Sequence, residues 1–314
     1  MFPIALSLFC RLGAPRRVPS TSLPIATTVA ELRGHVSAWK RAGERVALVP
    51  TMGALHAGHA ALITAGRARA DRVVASVFVN PAQFNDPKDL ERYPRTPEAD
   101  AATLAEAGCG LLFAPSTAEV YPQGFGTAVS VAGIPDRWEG EHRPGHFDGV
   151  ATVVAKLLAM ALPDVALFGE KDWQQLAVIR RLTLDLNLPV EIVGVPTVRE
   201  ADGLAMSSRN MLLDAASRAA AAALPRALER AGAAIAAGER PAEALAQAES
   251  ALRHDGFTTI DYVAFVGADD LEPMTALGRP ARLLAAAWIG GVRLIDNMPL
   301  PAGEPSTGAA HLGG

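Results

Sequence analysis

The segment from Pro50 to His59 holds the residues with the clearest capacity for chemistry. Its sequence, PTMGALHAGH, places His56 and His59 three positions apart and includes two glycines, Gly53 and Gly58. On the first turn of a helix this spacing puts both imidazoles on one face. That turn also carries unpaired backbone N–H groups and the positive end of the helix dipole. The segment therefore predicts a site where two imidazoles donate hydrogen bonds to a phosphate whose charge grows in a transition state. The glycines leave room for a purine or ribose. The alternative is a helix start with two incidental surface histidines.

A second cluster, FGEKDWQQ at residues 168–175, follows another apolar run. Asp172 can accept hydrogen bonds from ribose hydroxyls, and Lys171 offers a compact positive charge for phosphate. Gln175 can hydrogen-bond a small polar substrate. The alternative is a solvated helix start in which acidic residues favour the dipole.

A third cluster, AMSSRN at residues 205–210, comes shortly after an Asp-Gly pair. Its two hydroxyls, its backbone amides and the guanidinium of Arg209 could form a mobile clamp on a polyphosphate. A polar linker between domains is an equally good interpretation of this segment taken alone.

Two further segments add polar groups. Asn80 and Gln83 follow an apolar run, and Arg143 and His146 come just before a predicted helix. Four of the seven histidines, at 56, 59, 142 and 146, lie in these motifs or directly beside them, which favours a site over chance. No cysteine cluster or His-Glu-x-x-His pattern accompanies them, so no protein metal site is predicted. The Gly-x-Ser-x-Gly elbow, the dinucleotide glycine fingerprint and the P-loop are all missing from the sequence.

Short apolar runs alternate with helical stretches through the first two thirds of the chain. The runs are continuous, as in strands buried on both faces, and they lie at Val46–Pro50, Val73–Val79, Leu111–Ala114, Val165–Phe168 and Val190–Val195. Helices are predicted at about 29–43, 58–70, 97–107, 148–161 and 172–187. This alternation predicts an α/β fold with a doubly wound, Rossmann-like parallel sheet. Ligands of such sheets bind at the carboxyl ends of the strands, where the clusters lie.

The pattern changes after about residue 198. The Ala-rich stretch 215–252, which contains Pro225, Gly238 and Pro241, predicts two or three helices. Strands are predicted at Thr258–Val266, Ala281–Ile289 and Val292–Ile295, the last two joined by a Gly-Gly hairpin. We therefore predict a disordered extension at 1–28, a Rossmann-like nucleotide- and substrate-binding domain at 29–197, a smaller α+β domain that acts as a lid at 198–301, and a tail at 302–314. A transit peptide is the alternative for the first segment.

Composition excludes several classes of protein. The 314 residues carry 29 basic and 33 acidic side chains, a net charge of −4, which argues against a nucleic-acid-binding protein. Two cysteines, Cys10 and Cys109, cannot form a disulfide framework, so a cytoplasmic location is the simplest expectation. No apolar run is long enough to predict a membrane-spanning helix.

From about Val29 to Pro301 the chain closely resembles the pantoate–β-alanine ligase family (pantothenate synthetases). The resemblance rests on long, ordered segments: PTMGALHAGH at 50–59, FVNPAQF at 78–84, YPRTPEAD at 93–100, RPGHF at 143–147, FGEKDWQQL at 168–176 and VPTVREADGLAMSSRN at 195–210. The His-x-Gly-His pattern alone indicates only the wider superfamily of adenylate-forming and nucleotidyl-transferring enzymes.

The resemblance implies a function and assigns residues to it. It implies a homodimeric enzyme that uses ATP and Mg²⁺ to join pantoate to β-alanine through a pantoyl adenylate. The implied catalytic residues are His56, His59, Lys171 and Arg209, with His59 as the residue that the family treats as proton donor. The implied ATP site comprises Met52, Gly53, His56, Gly58, His59, Gly169, Glu170, Lys171, Asp172, Val198, Met206, Ser207, Ser208 and Arg209. The implied substrate residues are Pro50, Met52, Asn80, Gln83, Arg143, His146 and Gln175.

Two other functions remain possible from the sequence. One is a nucleotidylyltransferase of the same superfamily that acts on a phosphate ester. The other is a nucleotide-binding module without turnover.

Overall fold

The computed structural model describes residues 23–85 and 87–301, and the predictions for residues 1–22 and 302–314 lie outside them. The first domain is built on a parallel sheet in the order β1-β4-β3-β2-β5-β6. Its strands are β1 (Ile25–Ala26), β2 (Val46–Thr51), β3 (Arg72–Val77), β4 (Leu111–Phe113), β5 (Val165–Gly169) and β6 (Glu191–Val195). The predicted α/β fold is confirmed.

Eight helices of the described chain accompany this sheet. They are α1 (Val29–Arg41), α2 (Ala57–Arg67), α3 (Pro87–Arg92), α4 (Pro97–Ala107), α5 (Thr117–Val120), α6 (Glu139–His142), α7 (His146–Ala161) and α8 (Trp173–Asp185). Both faces of the sheet are covered, because Leu48 and Val74 pack into one apolar cluster while Val49 and Val73 pack into another. Burial on both faces explains why the strands read as continuous apolar runs.

The strand order reverses between β2 and β5. From β2 the chain builds outward through β3 to β4, and it then returns to add β5 and β6 on the other side. The carboxyl ends of β2 and β5 therefore flank a crevice, the usual ligand site of an open α/β sheet. The clusters PTMGALHAGH and FGEKD follow these two strands.

The predicted boundary of the first domain is corrected at its start. The sequence pattern places residues 23–28 in a disordered extension, but Ile25 and Ala26 pair with Leu112 and Phe113 of β4. Thr28 then caps α1, since its side chain accepts a hydrogen bond from the backbone N–H of Glu31. A two-residue edge strand is too short to leave a periodic pattern in the sequence, which is why the pattern does not predict it.

The second domain is an antiparallel sheet, β7 (Thr259–Gly267), β8 (Ala281–Ile289) and β9 (Val292–Leu300), packed against helices. Three helices precede it: α9 (Ala215–Ala221), α10 (Ala223–Ala236) and α11 (Pro241–His254). Strand β9 runs five residues beyond its predicted end, because Asp296, Asn297 and Pro299 hide the apolar pattern. Pro225 lies in the first turn of α10, where its missing N–H removes no helical hydrogen bond.

The two domains share buried contacts. Ala264 and Val266 of β7 pack into the same apolar cluster as Leu48 of the parallel sheet. Arg293 of β9 forms an ion pair with Glu139 of α6 at 2.6 Å, and both side chains are almost fully buried. The smaller sheet is therefore fixed against the first domain.

No helix in the described part of the chain is long and apolar enough to cross a membrane.

Candidate active site

The turn between β2 and α2 is shaped by a buried carboxylate. Gly53 and Ala54 both adopt left-handed backbone conformations, with φ of 85° and 52°. The carboxylate of Asp100 accepts hydrogen bonds from the backbone N–H groups of Ala54 at 3.1 Å and Leu55 at 2.8 Å. A Cβ at position 53 would lie 2.9 Å from Asp100 Oδ2, so this approach requires glycine. Asp100, 2% exposed, thus fixes the turn that leads to the histidines.

Hydrogen bonds from backbone N–H groups fix the rings of His56 and His59 at the start of α2. Their ring centroids are 4.2 Å apart. His56 Nδ1 accepts a hydrogen bond from the backbone N–H of Gly58, and His59 Nδ1 accepts one from the backbone N–H of His56, both at 3.2 Å. An Nδ1 atom that accepts carries no hydrogen, so each neutral ring has its hydrogen on Nε2. Both rings line the cleft at the strand reversal and can donate from Nε2 there.

The end of β5 supplies the opposite wall of the cleft. Gly169, Lys171, Asp172 and Gln175 line it. The carboxylate of Glu170 points elsewhere and forms an ion pair with Arg282 of β8 at 2.9 Å. Glu170 therefore supports the turn from the side of the smaller domain.

The segment between β6 and α9 lines another part of the cleft. Met206 N–H donates to the carbonyl of Val198 at 3.0 Å, which closes a hairpin-like turn. Ser207 then caps the 3-10 helix Ser208–Leu212 by accepting from the backbone N–H of Arg209 at 3.3 Å. Val198 and the run Met206–Arg209 all face the cleft.

The 3-10 helix Pro81–Gln83 presents an amide whose orientation is fixed. Asn80 Oδ1 accepts from the backbone N–H of Ala82, and Asn80 Nδ2 donates to the carbonyl of Gly149 at 3.1 Å. These two backbone groups settle which end of the Asn80 amide is nitrogen. The same Nδ2 donates to Gln83 Oε1 at 3.0 Å, so Gln83 must present its Nε2 donor next to Met52 in the cleft.

The cleft combines these groups in one space of ≈ 280 Å³. All of the site residues predicted above line it except Gly53 and Glu170. Apolar side chains from α7 close its floor beside Pro50 and Met52: Val150, Val153, Val154 and Leu157. Imidazoles, cations and hydroxyls thus share one cleft with amides and apolar side chains, and this combination suits a nucleotide and a small branched acid.

Comparison with known proteins assigns the chain to a family. Its residues 24–299 match the pantoate-beta-alanine ligase family. The chain belongs to that family. It is 59% identical to the pantothenate synthetase of Cereibacter sphaeroides over 277 residues, which are 88% of this chain and 99% of the relative.

Solved structures of the same family share the fold. The crystal structure of pantothenate synthetase from Thermus thermophilus superposes with a TM-score of 0.84 at 49% identity, covering 88% of this chain and 99% of that one. The crystal structure of pantoate-beta-alanine ligase from Francisella tularensis complexed with beta-gamma ATP and beta-alanine gives a TM-score of 0.74 at 32% identity, with 88% and 97% covered.

In this pantoate-beta-alanine ligase family member, the histidine pair is neutral at pH 7. Burial, together with the nearby charges of His56 and Lys171, lowers the pKa of His59 to about 3. Burial and Lys171 also lower the pKa of His56. Both neutral rings can therefore donate hydrogen bonds from Nε2 into the cleft.

Buried His146 and partly buried Arg143 form a second pair beside Gln83. His146 Nδ1 lies 2.9 Å from the Gln83 carbonyl, which can only accept, so Nδ1 carries the hydrogen and Nε2 accepts from Arg143 Nη1 at 3.1 Å. Burial and the charge of Arg143 lower the pKa of His146 to about 4. Arg143 also pairs with Glu139 at 3.2 Å.

Three residues of the site are not indicated by the sequence motifs. Glu139 lines the cleft and orders Arg143. Tyr93 lines it as well, hydrogen-bonds Ser208 and packs edge-on against Phe84. Asp100 fixes the β2–α2 turn by accepting hydrogen bonds from the backbone N–H groups of Ala54 and Leu55. Tyr93 and Asp100 begin and end the matched segment YPRTPEAD, which is the signal available for them.

Proposed function

We propose that this chain joins pantoate to β-alanine at the expense of ATP, by way of pantoyl adenylate, and releases AMP and diphosphate. One observation carries the proposal: His56, His59, Lys171 and Arg209 line the same cleft as the fixed amide of Gln83 and the apolar side chains of α7. Phosphoryl-binding groups and a site for a small branched acid thus share one cavity.

The first step is attack by a pantoate carboxylate oxygen on the α-phosphorus of ATP. The new O–P bond replaces the bond to the β-phosphate oxygen, and diphosphate leaves. Lys171, Arg209 and the two Nε2–H groups would stabilise the charge that develops on the phosphate oxygens. Gln83 Nε2 would donate to an oxygen of pantoate, with Pro50 and Met52 against its methyl groups.

The second step is attack by the β-alanine amine on the acyl carbon of the adenylate. The C–N bond forms, the C–O bond to phosphate breaks, AMP leaves with the electron pair, and the amine nitrogen loses a proton to water. Neither step needs a protein nucleophile, so catalysis would rest on positioning and charge stabilisation. The crystallised complex of the Francisella tularensis relative contains an ATP compound and β-alanine, which supports this choice of substrates.

The donor set of the cleft suits Mg²⁺ that arrives with ATP. Within the described residues no group of three or more His, Cys, Asp or Glu side chains could hold a metal. Mg²⁺ in nucleotide sites is commonly bound by phosphates, water and one or two carboxylates. Asp172, which lines the cleft, is the carboxylate we assign to it. Bound Mg²⁺ would neutralise phosphate charge.

We also propose that a segment of the chain closes over bound ATP, that the protein is a homodimer and that it is cytoplasmic. The smaller sheet is fixed by buried contacts, so we assign closure over ATP to residues 198–212 rather than to the whole domain 198–301. Addition of ATP should then protect bonds within 200–215 from protease, and equal cleavage with and without ATP would contradict closure. The homodimer rests on the resemblance alone, and sedimentation equilibrium tests it. The cytoplasmic location rests on the two cysteines, which cannot form a disulfide framework.

Product analysis tests the proposed reaction against its nearest alternative. With pantoate, β-alanine and ATP, chromatography should show free AMP and pantothenate in equal amounts. A nucleotidylyltransferase would instead leave AMP attached to its product, and a binding module would form no AMP.

A further inference from the structure

A side chain of the smaller domain holds the turn that carries Lys171. Asn297, on β9, donates from Nδ2 to the backbone carbonyl of Glu170 at 2.9 Å and to that of Lys171 at 2.8 Å. Its Oδ1 accepts from Arg282 Nη1 at 2.7 Å. Carbonyls only accept and a guanidinium only donates, so the orientation of this amide is fixed. Asn297 is 4% exposed, and water cannot easily replace it.

Arg282 holds the same turn through different groups. Its Nη2 pairs with the carboxylate of Glu170 at 2.9 Å, and its guanidinium carbon lies 3.3 Å from the ring centroid of Trp173. We call Arg282 and Asn297 the turn clamp. Together they contact the side chain of Glu170, the carbonyls of Glu170 and Lys171, and the first residue of α8.

The clamped turn lies between two fixed residues: Gly169 pairs with Val195 of β6, and Trp173 Nε1 donates to the Ala268 carbonyl at 2.9 Å. Residues Glu170–Asp172 form a three-residue 3-10 helix whose start has no side-chain cap. So short a 3-10 helix has poor hydrogen-bond geometry of its own. Removing the Asn297 amide would leave two part-buried carbonyls without this donor, and the turn would shift to find others. Lys171 and Asp172, which face the cleft, would move with it.

We propose that Asn297 is a positioning residue for adenylate formation, and that it acts by fixing the backbone from which Lys171 reaches the phosphates. It touches neither ATP nor pantoate in this scheme. The inference rests on the proposed function for the role of Lys171, whereas the contacts of the clamp stand by themselves. A displacement of about 1 Å in a catalytic group can lower a rate on the order of 100-fold.

A double-mutant cycle tests whether Asn297 acts through Lys171. Pantoate-dependent exchange of labelled diphosphate into ATP is measured for the wild type, Asn297→Ala, Lys171→Ala and the double variant. We expect Asn297→Ala to lower kcat/KM by about 10- to 100-fold in the wild type and by less than about 3-fold when Lys171 is already absent. Equal losses in both backgrounds would show a general structural effect and overturn the proposal.

Two further variants sharpen the result. Asn297→Asp keeps the acceptor for Arg282 but turns an oxygen toward the two carbonyls, so it should be no better than Asn297→Ala; wild-type exchange by this variant would overturn the proposal. Trp138→Phe removes another hydrogen bond between the domains, from Trp138 Nε1 to the Leu271 carbonyl at 3.0 Å, and touches no cleft residue that binds substrate in this scheme. It should leave exchange unchanged, and a loss equal to that of Asn297→Ala would assign the effect to domain contact in general and overturn the proposal.

A second readout does not depend on the reaction. Amide hydrogen exchange of a peptide covering 169–176 should be at least about 10-fold faster in Asn297→Ala, while a peptide covering 56–63 is unchanged. An unchanged rate of hydrogen exchange in the 169–176 peptide would show that Asn297 does not hold the turn, and it would overturn the proposal. Absence of diphosphate exchange by the wild-type enzyme would contradict the proposed function, and this peptide measurement would still decide whether Asn297 holds the turn.

Discussion

The Nδ1 atom of His59 accepts a hydrogen bond from the backbone N–H of His56 at 3.2 Å. This contact fixes the tautomer of His59 and aims its Nε2–H away from the helix start. With a pKa of about 3, the ring carries no charge at neutral pH. We therefore propose that His59 is a neutral donor to phosphate, which differs from the proton donor that the family resemblance implies.

Substitution of His59 should lower activity, and the loss should be smaller when the new side chain can also donate a hydrogen bond. We expect His59→Ala to reduce the rate of diphosphate exchange by about 100-fold or more. His59→Gln offers a neutral N–H and should lose less than His59→Ala. His35→Ala, at an exposed position on α1, is the control and should be unchanged. Equal losses for the Ala and Gln variants would argue against a neutral donor.

The low pKa of His59 should make stability depend on pH. The unfolded chain protonates His59 near its usual pKa of 6.5, whereas the folded chain resists protonation down to about 3. The unfolded state thus binds more protons in this window, and the free energy of unfolding falls as pH drops from about 6.5 toward 3. Relative to about pH 7.5, His59 should lower the free energy of unfolding by on the order of 1–2 kcal/mol at about pH 5.

Urea unfolding at about pH 7.5 and about pH 5 measures this effect. The wild type should lose more stability between the two pH values than His59→Gln does, by the amount given above. His146, whose pKa is lowered to about 4, contributes in the same direction and is present in both proteins. An identical pH dependence for the two proteins would show that His59 titrates normally in the fold.

Gly58 lets the ring of His56 lie over the first turn of α2. A Cβ at position 58 would be 2.9 Å from Cε1 and 3.0 Å from Nδ1 of His56. Gly58→Ala should therefore displace the ring and lower exchange about 10-fold, with the fold retained. Gly34→Ala is the matched control, since a Cβ there meets nothing within 4 Å in the middle of α1. It should raise stability by roughly 0.5–1 kcal/mol and leave activity unchanged. Wild-type exchange by Gly58→Ala would show that His56 need not hold this position.

The fixed amide of Gln83 should select for a hydrogen-bond acceptor on the substrate. In Gln83→Glu an oxygen can still accept from Asn80, but the other oxygen replaces the Nε2 donor. A lost hydrogen bond to a charged partner is worth about 1.5–3 kcal/mol, so the KM for pantoate should rise about 10- to 100-fold while that for ATP changes little. Gln123→Glu adds the same charge at an exposed position and should change neither. A larger change in the KM for ATP than in the KM for pantoate would show that Gln83 does not bind pantoate.

Local patterns in the sequence were enough to predict much of the fold and many of the residues that line the cleft. Apolar runs predicted five of the six parallel strands, and strand ends predicted where polar motifs such as Lys171-Asp172 would face a ligand. The contribution of Asp100 could not be predicted in this way, because it acts 45 residues along the chain from the N–H of Leu55 that it binds. Only its place at the end of the matched segment YPRTPEAD draws attention to it.

The second domain shows the same limit. Asn297 and Arg282 contact the Lys171 turn across more than 100 residues of sequence, and nothing local to β9 points to that turn. Glu170 shows the same limit from the other side of this contact. Its place in the motif suggested the ATP site, but a buried guanidinium in the other domain attracts its carboxylate away from the cleft.

The most direct test of the central claim is pantoate-dependent exchange of labelled diphosphate into ATP without β-alanine. Reversible formation of pantoyl adenylate at the cleft predicts exchange that requires pantoate and falls about 100-fold or more in His59→Ala. A well-folded wild-type protein that binds ATP but shows no exchange with pantoate would contradict it.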